Sequence, residues 1–301
     1  MKRLQYLSLL LIIISFSCDN NDVSEDNNPV IEGTGAFNFE YNRTNETLNM
    51  NVFYHIPAGD VATMPVLFVF HGNGRNASEY RNAWIDKANE KQIIIVTPEF
   101  SSVNFPDGDA YNLGNVFEDG DNPSPSTLNP EQDWAFSVIE PLFNQFKNHS
   151  GSNASSYDIF GFSAGAQFAH RFMFYKPNAR FDKIVASAAG WYTVPNPTVD
   201  FPYGIRNCPI ENTTPSSYFS DNLTLQIGTL DNSPNAPSLR RNTIVDEQGD
   251  NRYDRAFYMF NFSQSRAQDL GVDFNWQIIE TPGNDHDDEG AIEQAAEVLA
   301  P

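Results

Sequence analysis

Tyr157-Asp158-Ile159-Phe160-Gly161-Phe162-Ser163-Ala164-Gly165-Ala166-Gln167-Phe168 is the stretch on which the reading of this chain turns. Tyr157–Phe160 is an apolar run of the kind that forms a buried strand. Ala164–Tyr175 carries Phe168, Phe172 and Tyr175 at helical spacing and reads as an apolar helix. Between them lies Gly161-Phe162-Ser163-Ala164-Gly165, a G-x-S-x-G pentapeptide. Alone that pattern is a weak signal; its strand–turn–helix setting makes it a strong one. A sharp turn there pushes the Ser163 hydroxyl out at the carboxyl end of the strand. The flanking glycines, lacking Cβ, tolerate the crowding.

The same alternation extends in both directions. Upstream, Ala36–Tyr41 and Leu48–His55 form a hairpin around the polar turn Asn42–Thr47. Val66–Phe70 is a buried-type strand that ends at His71-Gly72-Asn73-Gly74. A helix over about Ser78–Lys91 precedes a second buried strand, Ile93–Thr97. Pro98–Asn129, rich in Asp, Asn, Gly, Pro and Ser, is a long functional loop. Pro130–Lys147 bears the stripe Trp134, Val138, Leu142 and Phe146 and reads as a helix kinked or divided at Pro141. Downstream come strand Lys183–Ala189, loop Pro195–Asp221 and strand Leu223–Gly228. They are followed by helix Tyr253–Leu270, strand Phe274–Thr281 and helix Glu289–Leu299. Continuous apolar strands separated by helices predict an α/β fold, a mainly parallel sheet with helices on both faces. It occupies residues 34–301 as a single domain.

A serine hydroxyl is a weak nucleophile and needs a base oriented by an acid. The chain has five histidines. His286 follows the last strand in Pro282-Gly283-Asn284-Asp285-His286, so a parallel sheet delivers it to the edge where Ser163 emerges. His170, well into the helix, reads as structural, His149 as a surface-turn residue and His71 as a loop-ordering residue. Asp231 follows strand Leu223–Gly228 and is the candidate acid, with Asp246 the alternative. Asp285 and Asp287 are too close to His286 in sequence to orient its ring. The order Ser163, Asp231, His286 is the chain order of α/β-hydrolases. Acyl transfer also needs two N–H donors aimed at the developing oxyanion. Ala164 and Asn73 are the candidates. Gly190-Trp191-Tyr192 leaves the strand beside the serine strand, placing Trp191 and Tyr192 near the substrate, with core packing as the alternative for Trp191.

These elements together resemble an α/β-hydrolase-fold serine esterase. Several stretches resemble secreted bacterial hydrolases of the polyhydroxybutyrate-depolymerase-like and feruloyl-esterase-like kind. They are Pro98-Glu99-Phe100, Tyr111–Asn115, Gly161–Arg171, Ala189–Tyr192 and Gln248-Gly249-Asp250-Asn251-Arg252. Phe162 stands where related enzymes often have His. The resemblance implies cleavage of carboxylic esters through an acyl-enzyme, on acylated polysaccharides, their fragments or other environmental esters. The competing functions are a catalytically inactive carbohydrate-binding surface protein, or a peptidase or acyltransferase on the same residues.

The chain has 18 Lys+Arg against 39 Asp+Glu, a formal net charge of −21. Such an acidic surface argues against non-specific attraction to nucleic acid or to an anionic bilayer. No Walker A motif, dinucleotide fingerprint or zinc-ligand spacing is present, and no cofactor or metal is expected.

Lys2 and Arg3 precede an apolar run, Leu4–Phe16, too short to span a bilayer of about 30 Å. It reads as an export signal, residues 1–17. Ser17-Cys18 resembles the lipobox of bacterial lipoproteins, with Cys18 the lipidated residue. The polar, acidic stretch over 18–33 is a disordered tether. The expected location is the outer membrane or cell surface, with a periplasmic or secreted protein as the alternative. The lipid anchor is then the only membrane contact, and Cys208 is left without a disulfide partner.

Overall fold

The computed structural model describes residues 31–300. The signal (1–17), Cys18 and the tether up to residue 30 lie outside the described residues. Eight strands form one sheet: β1 (Gly33–Asn42), β2 (Thr47–Ile56), β3 (Val66–Phe70), β4 (Ile94–Pro98), β5 (Tyr157–Phe162), β6 (Phe181–Ser187), β7 (Asn222–Gly228) and β8 (Gln277–Thr281). Their spatial order is β1-β2-β4-β3-β5-β6-β7-β8. The β1–β2 and β2–β4 pairings are antiparallel; every later pairing is parallel. This is the α/β-hydrolase fold. β3 and β4 are buried along their whole length, which is why they read as unbroken apolar runs.

The helices are α1 (Ala77–Ala83), α2 (Ile85–Lys91), α3 (Asp107–Ala110), α4 (Ile139–Ser150), α5 (Ala164–Tyr175), α6 (Pro215–Phe219), α7 (Arg252–Leu270) and α8 (Asp288–Leu299). Alternation along the strands assigns them to faces. Phe160 packs on Trp84 at the end of α1, with ring centroids 5.1 Å apart. α2 is tied to α8 by Lys87–Glu293 and Lys91–Glu297 ion pairs. On the opposite face Phe68 meets Phe143 of α4, and Phe70 meets Phe168 of α5 at 4.7 Å. Phe168 also packs on Phe100 and Phe136, each at 4.8 Å. Burying one such ring contributes roughly 2–3 kcal/mol, and this cluster forms the floor beneath the turn at Ser163.

Three expectations need correction. The helix expected over Ser78–Lys91 is two, because Trp84 ends α1 and begins α2 with its ring fully buried. Pro141 neither kinks nor divides a helix. The segment before Ile139 is 3₁₀ turn, and Pro141 sits in the first turn of α4, where its missing N–H has no partner to lose. The last strand begins at Gln277, because Phe274 and Trp276 turn into an aromatic cluster with Phe219.

At the centre, α5 crosses directly over β3. A Cβ on Gly165 would lie 2.0 Å from the Phe70 carbonyl oxygen, and one on Gly161 would lie 2.3 Å from that of Gly165. These contacts are with backbone and cannot relax by side-chain rotation. Gly165→Ala is therefore expected to lower unfolding stability by about 3 kcal/mol, measured by urea denaturation. A midpoint equal to wild type would refute the close crossing.

Candidate active site

Ser163 links β5 to α5 with φ 55° and ψ −110°, a strained conformation for a residue bearing Cβ. It is held there from both sides. Its N–H donates to the Ser187 carbonyl at 2.9 Å, and its carbonyl accepts from Gln167 N–H at 3.1 Å. The hydroxyl is thereby delivered to the carboxyl edge of the sheet, 3.1 Å from His286 Nε2. His286 Nδ1 lies 2.7 Å from Asp231 Oδ2. With Nδ1–H donating to the carboxylate, Nε2 keeps its lone pair towards the serine.

The spacing of acid and base is fixed by backbone. Leu230 N–H donates to the Asn284 carbonyl at 2.8 Å, and Thr229 N–H to that of Thr281 at 3.1 Å. Gly283 N–H donates to Thr229 Oγ1 at 2.9 Å. The two loops approach so closely at Gly228 that a Cβ would stand 2.4 Å from the Asn284 carbonyl oxygen. Asp231 is almost wholly buried, and its second oxygen accepts from Arg252 Nη1 at 3.1 Å. Asp246, the alternative acid, is instead bonded to Arg241 and Arg255.

The other histidines are engaged elsewhere. His71 donates from Nδ1 to the Gly72 carbonyl at 2.9 Å and accepts Phe100 N–H on Nε2 at 3.0 Å. Burial pulls its pKa down to about 4, so the ring is a neutral strut between two loops. His170 does the same between Ala166 and Thr193 N–H, its pKa also driven down by burial. His55 bonds Thr34 and Asn89. His149 lies in the last turn of α4, edge-on to Phe37, rather than in a surface turn.

A cleft of about 470 Å³ opens over Ser163. Asn73, Ala164, Gln167, Trp191, Arg252 and His286 are among its walls. Asn73 and Ala164, the two candidate oxyanion donors, thus line the same cleft as Ser163. The His71–Gly74 loop is braced from beneath: Tyr111 Oη donates to the His71 carbonyl at 2.7 Å, and Arg75 lies 4.4 Å over the Tyr111 ring.

Trp191 borders the cleft but is buried to 4% exposure, so the core-packing alternative also holds for most of its ring, with the guanidinium groups of Arg171 and Arg240 over it at 4.2 and 4.9 Å. Tyr192 does not line the cleft, which corrects the expectation. Tyr192 is fully buried beside His170, past the bend at Trp191. Its backbone is clamped on both sides by the Gln248 amide, at 3.0 and 2.8 Å. Sequence reading named neither Arg252 nor Gln248 as site residues. The available signal was the Gln248–Arg252 motif itself. Cys208 is buried, forms no disulfide among the described residues, and has its thiol pushed up to about 11 by burial. Among the described residues no three His, Cys, Asp or Glu side chains converge as metal ligands.

No protein-family model matches the chain. Poly(aspartic acid) hydrolase-1 from Sphingomonas sp. KT-1 is 34% identical, over 90% of this chain and 99% of that one, with a TM-score of 0.83. LpqC, a poly(3-hydroxybutyrate) depolymerase from Bordetella parapertussis, is 26% identical over 89% of this chain and 90% of that one, with a TM-score of 0.80. Poly(3-hydroxyalkanoate) depolymerase C from Paucimonas lemoignei is 29% identical over 142 residues, spanning 47% of this chain and only 30% of that protein.

The backbone strain at Ser163 has a measurable counterpart. Ser163→Gly removes the Cβ from a positive-φ position and is expected to raise stability by about 1–2 kcal/mol, whereas Ser163→Ala keeps the strain and leaves stability near wild type. Thermal unfolding of the two variants checks this. A Ser163→Gly protein that melts no higher than Ser163→Ala would show that no strain resides there.

Proposed function

The chain belongs to the α/β-hydrolase family, with the poly(aspartic acid) hydrolase and the poly(3-hydroxybutyrate) depolymerase, and we propose that Ser163 is its nucleophile. The observation that carries this reading is the unbroken chain of contacts Ser163 Oγ–His286–Asp231, opening onto the cleft. Ser163 Oγ attacks the substrate carbonyl carbon while His286 Nε2 takes its proton. Asp231 holds the ring and stabilises the imidazolium that forms. The N–H groups of Ala164 and Asn73 receive the oxyanion, each contributing about 3 kcal/mol to the transition state. Ala164 opens α5, where first-turn N–H groups lack intrahelical partners and the helix dipole favours negative charge. Collapse expels the alcohol with the proton from His286. Water, activated by the same ring, then releases the acid and restores Ser163.

The substrate proposed is the carboxylic ester bond of an environmental polymer, a polyester of hydroxy acids first, acylated polysaccharides or their fragments second. Depolymerases among the relatives support the polyester, and an open cleft with a mixed polar and apolar wall suits a chain lying across it. One observation favours a second reading, amide cleavage in an anionic polymer: the relative at 34% identity is a poly(aspartic acid) hydrolase.

A fluorophosphonate is expected to label the wild type and not Ser163→Ala, while Ser163→Ala lowers kcat/KM by about four orders of magnitude with the fold retained. Hydroxybutyrate oligomers, acetylated xylan and poly(aspartic acid), assayed side by side, separate the substrates. Labelling of the alanine variant would refute the nucleophile.

For location, the proposal is a lipoprotein of the outer membrane or cell surface anchored at Cys18, supported by the signal-like start and Ser17-Cys18. Full-length protein is expected in the detergent-soluble membrane fraction of its host, and Cys18→Ser in the soluble fraction. Equal partitioning of the two would refute the anchor.

A further inference from the structure

The Gln248-Gly249-Asp250-Asn251-Arg252 segment is used by nothing in the chemistry above, yet three of its side chains act on the site's framework. Gln248 clamps the Tyr192 backbone. Asn251 caps α7 by accepting Asp254 N–H at 2.9 Å. Arg252, the first residue of α7, is buried to 4% exposure and reaches Asp231 Oδ1 at 3.1 Å. Tyr253 N–H donates to the Asp231 carbonyl at 3.1 Å, so α7 grips the acid by main chain and side chain together. Arg252 also donates to the Pro237 carbonyl at 3.0 Å, which ties the loop beyond Asp231 over the cleft.

We propose that Arg252 is a positioning residue that fixes the Asp231 carboxylate against His286 Nδ1 and sets a positive charge opposite the acids that flank that ring. This assignment rests on the reading of Ser163, His286 and Asp231 as the catalytic triad. A carboxylate with both oxygens committed cannot rotate away from Nδ1. A carboxylate shared with a guanidinium also stabilises the imidazolium less than a lone one does.

The groups that face the dyad beside Arg252 include acids and neutral rings. Asp285, Asp287 and Asp288 flank His286 on its own segment, and Asp288 has its pKa raised by burial. Phe162 packs on the imidazole at 5.0 Å. Tyr80 of α1 stands near Asp288, and Tyr192 near Asp231; burial drives both phenols up, so both are neutral. Against these acids and neutral rings Arg252 supplies the opposing positive charge. Its neighbour Arg255 spends its guanidinium on Gly190, Gly249, Arg240 and Asp246.

The test is the pH profile of kcat/KM on a soluble nitrophenyl ester for wild type, Arg252→Gln and Arg252→Lys, with thermal unfolding of each. Turnover by the base requires neutral His286, so the acid limb reports its pKa. Removing the cation stabilises the imidazolium, and the acid limb of Arg252→Gln is expected to move up by about one pH unit. Arg252→Lys keeps the charge but lacks the planar fork whose two nitrogens span Asp231 and Pro237, and should return most of that shift while kcat stays lowered. An unmoved acid limb in Arg252→Gln, whatever its melting temperature, overturns the assignment. So does a change confined to KM, which would make Arg252 a substrate contact. Wild-type turnover that survives Ser163→Ala would instead bring down the triad reading, and this assignment with it.

Discussion

The close crossing of α5 over β3 and β5 is the constraint from which the rest of the molecule follows. Two positions without Cβ, Gly161 and Gly165, let a helix start one residue after a strand ends. The single residue left between them must adopt φ 55°, and that residue is Ser163. The aromatic floor of Phe70, Phe100, Phe136 and Phe168 resists any relaxation of this turn, because moving α5 away would open a void in a close-packed interior. Strain at one residue is thus maintained by apolar burial at many. The stabilising and the reactive parts of the structure are separated in space but linked through backbone.

The treatment of imidazole shows how environment divides one side-chain type into different tasks. His71 and His170 are fully enclosed and each satisfies both ring nitrogens with backbone, one as donor and one as acceptor. A proton added to either would leave an N–H facing an N–H donor, so burial and bonding both keep these rings neutral. His286 is partly open, and its partners are two side chains rather than two peptide groups. His71 joins two loops and His170 ties α5 to the segment at Thr193, whereas His286 borders the cleft.

Much of this arrangement was legible in the amino-acid order. The apolar runs of β3, β4 and β5 revealed a parallel sheet because strands buried on both faces need no polar alternation. Ser163, Asp231 and His286 could each be assigned to a loop after a strand, and parallel strands bring such loops to one edge. What could not be read were features decided by direction and by distant partners. Trp191 and Tyr192 are adjacent and similar, both lie past the end of β6 at a bend in the chain, and only Trp191 borders the cleft. The break at Trp84 is set by where its indole finds Phe160, a contact between segments far apart in sequence. Arg252 meets Asp231 across a loop of no regular period, so no local pattern announces the pair.

His286 reaches Ser163 from a position 123 residues further along the chain, and Asp231 from 55 residues before His286. A ribosome releases the chain from its N-terminus onward. Six strands and the serine turn are therefore made before β7 brings the acid, and β8, at the margin of the sheet, must dock before the imidazole is in place. A nascent chain holding a nearly complete sheet still lacks the Ser163–His286–Asp231 contacts. Those contacts close only when β8 pairs with β7 and carries the His286 loop to the Asp231 loop.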